Sequence, residues 1–391
     1  MLSSLRIALI AVFITASYRL IPLPISDTLR AAILAISIVI FCNVRGKKLD
    51  VSFFREVWPL LALVIVISSL DILLGRIGVR TLIVWTKFAT AMLVASAVFT
   101  IGLEGIWRLI LVSTVILFAQ LALISFYPAY FAATARDLGI VDPFVTHGRA
   151  LDRVYYSYFN ANAAAYAIYY FILSFLAVRR VANISASVSL LVVSSLILLA
   201  ILTGGRGVIV LLLGFTVTWL ASYKSTAAAL FAGLLFIGPI IALPLYNATL
   251  DLIFLREESN AARIEAMQTY LGIIYENPTF GAGIQWLRER VEVQGMHPSH
   301  NFFLELLAMF GIPFGGILIG YLLYKMILCV QDRFIKIIGC FALLVGVFNN
   351  TLLANWGFFP LIVPILILAD KELKGNTVRF CSDSLSMRRT W

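Results

Sequence analysis

Two of the chain's three histidines lie three residues apart in "GMHPSHNFFLELLAMFGIPFGG", residues 295 to 316, directly before a long apolar run. Imidazole accepts a proton near neutral pH without special tuning, so His300 is a candidate general base. A metal site is an alternative, since His297 and His300 have the spacing H-x-x-H, and a structural histidine is another. No further Cys, His or Asp at ligand spacing lies near the pair, which favours the base.

Arginines are the second group of residues that could take part in chemistry. Arg206 lies in the glycine-rich turn "TGGRG", and Arg263, Arg288 and Arg290 lie between residues 247 and 300. A guanidinium keeps its charge and can bind a phosphate through two parallel hydrogen bonds. That stretch holds four arginines but seven carboxylates, so any anion site in it must be local. The alternatives are pairing with nearby carboxylates and snorkelling to lipid headgroups.

Glu305 follows His300 and Asn301 inside the same apolar run. A carboxylate within a membrane span is costly unless it has a partner, so Glu305 is expected to be functional or paired. It could orient His300 or neutralise an arginine, and the sequence does not separate these roles. Asp71, near Arg76 and Arg80, is a similar case.

The elements that position these residues are membrane helices. Of 391 residues, 61% are hydrophobic and 13% charged, which excludes an ordinary soluble domain. We predict an all-α, polytopic membrane protein with about 12 transmembrane helices, forming one domain over residues 1–391 and including a retained first span. The apolar segments are 5–22, 28–44, 56–74, 81–101, 106–126, 159–178, 185–203, 207–222, 227–246, 301–324, 335–352 and 356–369.

The lysines predict the orientation. Apart from Lys87, they fall on the side of the two termini, which the positive-inside rule assigns to the cytoplasm: Lys47, Lys48, Lys224, Lys325, Lys336, Lys371 and Lys374. Residues 127–158 and 247–300 are then periplasmic loops, and 370–391 is a cytoplasmic tail. The four cysteines lie at or towards the cytoplasmic side, so no disulfide is implied.

The larger loop contains a periodic segment, "SNAARIEAMQTYLGIIYENPTFGAG". Its apolar residues Ile264, Met267, Leu271 and Ile274 recur at steps of three and four. We predict an amphipathic helix that starts at a Ser259 cap, ends at Asn277 and Pro278, and lies in the membrane interface with Arg263 near its start. A helix that merely packs on the bundle is the alternative.

Four motifs together resemble the O-antigen ligase and polymerase family of bacterial envelope enzymes. They are the His-Asn element "HNFFLELLAMFGIPFG", the turn "TGGRG", the segment "RIEAMQTYLGIIYENPTFGAG" and "YFNANAAAYA" at residues 158 to 167. The motif-bearing region covers roughly residues 150 to 320, and "NAN" lacks a proline often seen in the last motif.

The resemblance implies a glycosyltransferase of the bacterial inner membrane, with both termini cytoplasmic and the active site facing the periplasm. Its donor would be a glycan on undecaprenyl diphosphate, its acceptor another glycan or lipid A core, and no metal or other cofactor would be needed. His300 would be the base, Arg206 and Arg263 would hold the diphosphate, and Arg288, Arg290, Asn301 and Glu305 would contact substrate. Membrane lipid and a chain-length regulator are expected partners, and nucleic acid is not.

Two other classes remain open. A flippase for lipid-linked oligosaccharides would guide the same headgroup with arginines, but it tends to have internal repeats and broken helices at mid-membrane. A peptidoglycan polymerase would need an essential carboxylate in the outer loop. Within the resembling family we favour polymerase over ligase, although the His-Asn element does not separate them.

Overall fold

The computed structural model of the protein describes residues 52–126, 161–182, 184–203, 205–222, 257–296, 298–299, 301–348 and 362–374. These residues are helical apart from short turns. The helices are α1 Ser52–Leu73, α2 Val79–Phe126, α3 Ala161–Val181, α4 Ala186–Leu202, α5 Arg206–Ser222, α6 Glu257–Glu276, α7 Ile284–Glu292, α8 Phe302–Leu323, α9 Arg333–Phe348 and α10, residues 363–374. A π-helical turn, Tyr324–Leu328, follows α8 directly.

Membrane-spanning length and apolarity occur together in four stretches of the described residues: Ser52–Leu73, Val79–Thr100, Ala164–Val181 and Phe302–Leu328. Three shorter apolar helices accompany them, at Gly105–Ala119, Ala186–Leu202 and Gly207–Thr218. Helices suit a bilayer because they satisfy their backbone hydrogen bonds internally. The predicted all-helical, multi-pass membrane fold is therefore confirmed for the described part of the chain.

The predicted segments and the helices agree closely where both can be compared. Segments 5–22, 28–44 and 227–246 lie outside the described residues, and each of the other nine coincides wholly or partly with a helix. The segments 81–101 and 106–126 share one helix that bends at Gly102 (φ 75°). The count of twelve spans stays a prediction, as do the 127–158 loop, which is undescribed, and the loop and tail boundaries.

Helix α3 lies at the centre of the bundle. Residues Ala164 to Val178 along it are buried, and α3 packs against α2, α4, α5 and α9. The hydroxyls of Tyr169 and Tyr170 approach the carbonyls of Phe341 and Ala342 on α9 at 3.5 and 3.4 Å. Buried tyrosines usually find such a partner, because an unpaired hydroxyl in an apolar core costs free energy.

Helices α1 and α8 run antiparallel, so that their ends define two faces of the bundle. At one face the Lys325 ammonium pairs with Glu56 at 3.0 Å, and the Tyr321 hydroxyl donates to the Glu56 carbonyl at 2.9 Å. We name this face the lysine end; it also holds Arg180, Asp332, Asp370, Lys371 and Lys374. The opposite face is the arginine end, made of Asp71 to Arg80, the α6–α7 region and the start of α8.

The predicted loop helix is present as α6, with one correction at its start. It begins at Glu257, so Ser259 lies within its first turn instead of capping it, and it ends at Glu276 as expected. Ile264, Met267 and Leu271 are exposed, but Ile274 is buried with Ala266, Tyr270 and Ile273. One face of α6 therefore packs on the bundle, mainly against α8, and the other remains uncovered.

Candidate active site at the arginine end

The entry to α8 is a capped helix start. Asn301 adopts an extended conformation, and its side-chain oxygen accepts hydrogen bonds from the backbone N–H groups of Phe303 and Leu304 at 3.0 and 3.1 Å. The structure thus gives Asn301 a capping role, which satisfies donors that a helix N-terminus leaves unpaired. His300 lies directly before this cap, but His297 and His300 are outside the described residues.

Helix α8 is broken nine residues after its start. Gly311 has φ 77° and ψ 171°, and Pro313 has no N–H to donate to the Met309 carbonyl four residues earlier. The Ile312 N–H donates instead to Pro278 at 2.8 Å. The carbonyls of Ala308 and Met309 are thereby released from the helix.

The turn "NPTFGAG", between α6 and α7, fills this break. The N–H groups of Ala282 and Gly283 donate to Ala308 and Met309 at 2.8 and 3.0 Å, so that the break is paired backbone to backbone. A Cβ on Gly281 would overlap the Met309 carbonyl, and one on Gly311 would overlap the Thr279 carbonyl. Glycine is required at both positions, which lie at positive φ and in close backbone contact. Two of the family-like motifs therefore form one structural unit.

A buried polar cluster lies beneath the His-Asn entry. The Arg288 guanidinium on α7 pairs with the Glu305 carboxylate on α8 at 2.9 Å, and their side chains are 22% and 5% exposed. The structure thereby places Glu305 beside an arginine, which is one of the two roles that the sequence left open. A single contact joins the pair, and Arg288 Nε, Glu305 Oε2 and the Tyr270 hydroxyl are buried without a hydrogen-bond partner.

Tyr270 joins this cluster from α6. Burial raises the pKa of its hydroxyl above the ordinary value, and the Glu305 carboxylate raises it further, while Arg288 and the Ser299 backbone act in the opposite direction. The phenol therefore stays protonated at neutral pH and can donate a hydrogen bond. Ser299 directly precedes His300 in the chain, so Tyr270 lies near the start of the segment that carries the candidate base.

Arg263 lies on the same helix, three turns before its end. Its guanidinium interacts electrostatically with Tyr166, which belongs to the "YFNANAAAYA" motif on α3. The "TGGRG" turn approaches the same motif, because a Cβ on Gly205 would overlap the side chain of Ala165. Arg206 is the first residue of α5, as the expected helix start requires, and its side chain is outside the described residues.

Arg290 is the outermost of the predicted arginines. Its guanidinium lies 4.9 Å from the centroid of the Trp286 ring on the same helix, a cation–π contact on an exposed surface. Arg206, Arg263 and Arg288 thus sit on three elements that meet at one end of the bundle, with Arg290 at its rim.

Sequence reasoning missed four residues that shape this region. Tyr166 and Tyr270 look like core aromatics in the sequence, and their electrostatic interactions with charged groups depend on helix packing. Arg76 and Arg80 lie 205 and 208 residues before Gly281 and Arg288, and yet they donate hydrogen bonds to the carbonyls of these two residues. Their proximity to buried Asp71 was the available signal, but it pointed to no partner.

Comparison with known families gives an independent result. Residues 190–320, about a third of the chain, match the family model described as O-antigen ligase. This segment contains the "TGGRG" turn, α6, α7 and the His-Asn entry to α8. No curated protein matches the chain. The resemblance predicted from the motifs is confirmed over residues 190–320, which are similar to the O-antigen ligase family.

Proposed function

We propose that the protein is a polymerase of O-antigen or a related surface polysaccharide, acting at the periplasmic face of the bacterial inner membrane. The donor is a glycan on undecaprenyl diphosphate, and the acceptor is a hydroxyl of another carrier-linked glycan. The observation that carries the proposal is the convergence of the four motifs on the arginine end, next to the capped start of α8.

The transfer reaction makes two demands. An acceptor oxygen attacks the anomeric carbon of the donor sugar and loses its proton, while the bond to the carrier diphosphate breaks and the electron pair leaves with the diphosphate. In our proposal His300 accepts the proton. Arg206 and Arg263 hold the diphosphate, and their fixed charge stabilises the leaving group without a metal ion.

Arg288 contributes as a supported third arginine. Glu305 holds one edge of its guanidinium from inside the bundle, and the partly exposed remainder can bind an anion or a substrate hydroxyl. Such support fixes a side chain that would otherwise lose conformational entropy on binding. Arg290 and Asn301 are assigned weaker substrate contacts, and Asn301 acts chiefly by capping the helix that follows His300.

A direct assay tests the proposal. Protein purified in detergent or nanodiscs is supplied with undecaprenyl-diphosphate-linked repeat units from a polysaccharide-producing strain, with chelator present. We expect a ladder of longer carrier-linked glycans and release of undecaprenyl diphosphate. If products form only when lipid A core is added, the protein is a ligase. If no transfer occurs but the glycan crosses sealed liposomes, it is a flippase.

The proposed polymerase activity implies two kinds of partner. A polymerase that adds repeat units works beside membrane lipid and is expected to meet a chain-length regulator. Copurification of such a regulator with the tagged protein, and its absence with an unrelated multi-pass protein, would support this part. The acceptor sugar and linkage depend on the repeat unit of the producing strain.

A further inference from the structure

We propose that the segment Gly75 to Arg80, which lies outside the family-matched region, is a clasp that positions α7 and, through it, the Arg288 side chain. The inference rests on the proposed function, because it concerns how one arginine of that site is held. The segment joins α1 to α2 at the arginine end, and three of its hydrogen bonds are spaced along the α6–α7 turn and α7 itself.

The first contact holds the beginning of α7. Arg76 Nη1 donates to the Gly281 carbonyl at 2.7 Å, and the Arg76 side chain passes Gly283 where a Cβ would come within 3.2 Å of it. Buried Asp71 lies beside Arg76 and interacts with its charge. Arg76 therefore stands between a carboxylate and the turn that fills the break in α8.

The other two contacts lie along α7. The Arg80 N–H donates to Gln285 Oε1 at 3.0 Å, and Arg80 Nη1 donates to the carbonyl of Arg288 at 3.2 Å. A Cβ on Gly78 would overlap the end of the Gln285 side chain, so that this side chain lies directly against the Gly78 backbone. The Arg80 contact ends on the residue whose side chain pairs with Glu305.

Helix α7 needs such support. It has nine residues, and its N-cap is Gly283, which has no side chain to make a cap hydrogen bond. An isolated helix of this length is not stable in water, so its direction must come from tertiary contacts. Glu305 fixes the tip of Arg288, and the clasp fixes its backbone; together they set the position of the guanidinium.

A double-mutant cycle distinguishes positioning from general stabilisation. Arg80→Ala and Arg288→Ala are measured singly and together in the transfer assay, with kcat and KM for the donor. The Arg80 contact is to a backbone carbonyl, so it survives in Arg288→Ala. If Arg80 acts through the Arg288 side chain, Arg80→Ala lowers kcat/KM about tenfold in the native background and less than about twofold in Arg288→Ala. Equal losses in both backgrounds would overturn the proposal.

A matched control variant and the unmodified protein distinguish failure of the clasp proposal from failure of the proposed function. Arg55→Ala removes an exposed arginine at the lysine end and should leave transfer and thermal midpoint unchanged. Native-like transfer by both Arg76→Ala and Arg80→Ala would overturn the clasp while leaving the proposed function intact. No transfer by the unmodified protein would overturn the proposed function itself.

A second variant keeps the test decisive if Arg80→Ala folds poorly. Gly78→Cys and Gln285→Cys are combined with Arg80→Ala after replacement of the four native cysteines, and a short, reducible thiol cross-linker is added, because the Gln285 side chain reaches Gly78. We expect the cross-link to form and to restore transfer, and a reductant to abolish the gain. Failure to form the cross-link, or a formed cross-link without rescue, would contradict the clasp.

Discussion

The lysine end and the arginine end differ in how their charges are satisfied. At the lysine end Glu56 pairs with both Lys325 and Lys371, Arg180 binds Asp332 at 3.0 Å, and Asp370 accepts from the Gln331 N–H while it pairs with Lys374. At the arginine end, among the described residues, Asp71 Oδ2, Tyr270 Oη, Arg288 Nε and Glu305 Oε2 are buried without a hydrogen-bond partner.

We interpret the difference as that between a structural ionic network and the proposed active site. Buried polar atoms in native proteins are rarely left unpaired, and the exceptions call for an explanation such as a catalytic role or a bound ligand. At the lysine end, Glu56 links α1 to the turn after α8 and to α10, and Asp332 links the start of α9 to α3. The carboxylates at the arginine end hold guanidinium groups and leave part of their bonding capacity open, as a site for polar substrates requires.

The largest expected difference between the ends is their accessibility in intact cells. In a cysteine-free background, Tyr275→Cys should react with a membrane-impermeant thiol reagent, since its side chain is 87% exposed at the arginine end. Lys374→Cys, at the lysine end, should react only after the membrane is permeabilised. Labelling of position 374 in sealed cells would reverse the predicted orientation.

Removal of the proposed base should have the largest effect on catalysis. His300→Ala should lower the transfer rate about 100-fold to 10,000-fold, which is the usual contribution of a general base. Binding of the undecaprenyl diphosphate donor should persist, because the arginines hold it. His297→Ala is the matched control and should be mild. Equal losses from both variants, together with inhibition by a chelator, would favour a metal site.

The next largest effect on transfer is expected from changing the guanidinium geometry of the proposed diphosphate site. Arg206→Lys keeps the positive charge but loses the two-pronged guanidinium, so we expect transfer to fall at least about tenfold at an unchanged protein level. Arg180→Lys makes the same change in the Arg180–Asp332 pair of the lysine end, and near-native transfer is expected. Comparable activity of the two variants would reduce Arg206 to a turn residue.

The ion pairs themselves should differ in their contribution to stability. Glu305→Gln breaks a pair whose carboxylate is 5% exposed, which should cost about 3 kcal/mol because a buried guanidinium loses its counter-charge. Lys371→Met breaks a pair whose partners are 43% and 23% exposed and should cost about 0.5 kcal/mol. Thermal unfolding in detergent compares them, and equal midpoints would contradict the stated contrast between the ends.

Apolar runs and motif order made much of this fold predictable. Length and hydropathy predicted nine segments that fall on eight described helices, and the steps of three and four in "RIEAMQTYLGII" located α6. Where α6 begins was missed, because Glu257 and Glu258 favour a first turn as well as Ser259 favours a cap. Long-range partners were also missed. Arg76 and Gly281 are 205 residues apart, and no local pattern joins them.

The candidate site was likewise only partly predictable from the sequence. Residue chemistry suggested arginines around a histidine, and packing brings the four motifs together through interactions that the sequence does not show. Ala165 against Gly205 and Tyr166 against Arg263 depend on the approach of α3 to elements from two other parts of the chain. Asn301 shows the limit of residue type alone, since its amide suits both a substrate contact and the helix cap that it makes.

The break in α8 has a consequence for biosynthesis. The carbonyls of Ala308 and Met309 lie in a span that must enter the bilayer, where an unpaired carbonyl is costly, and their donors Ala282 and Gly283 are translated some twenty-five residues earlier. The turn therefore leaves the ribosome before the helix that it completes. α8 can therefore reach its final shape within the bilayer only once that turn has docked on it, so insertion of this span and packing of the turn are coupled steps.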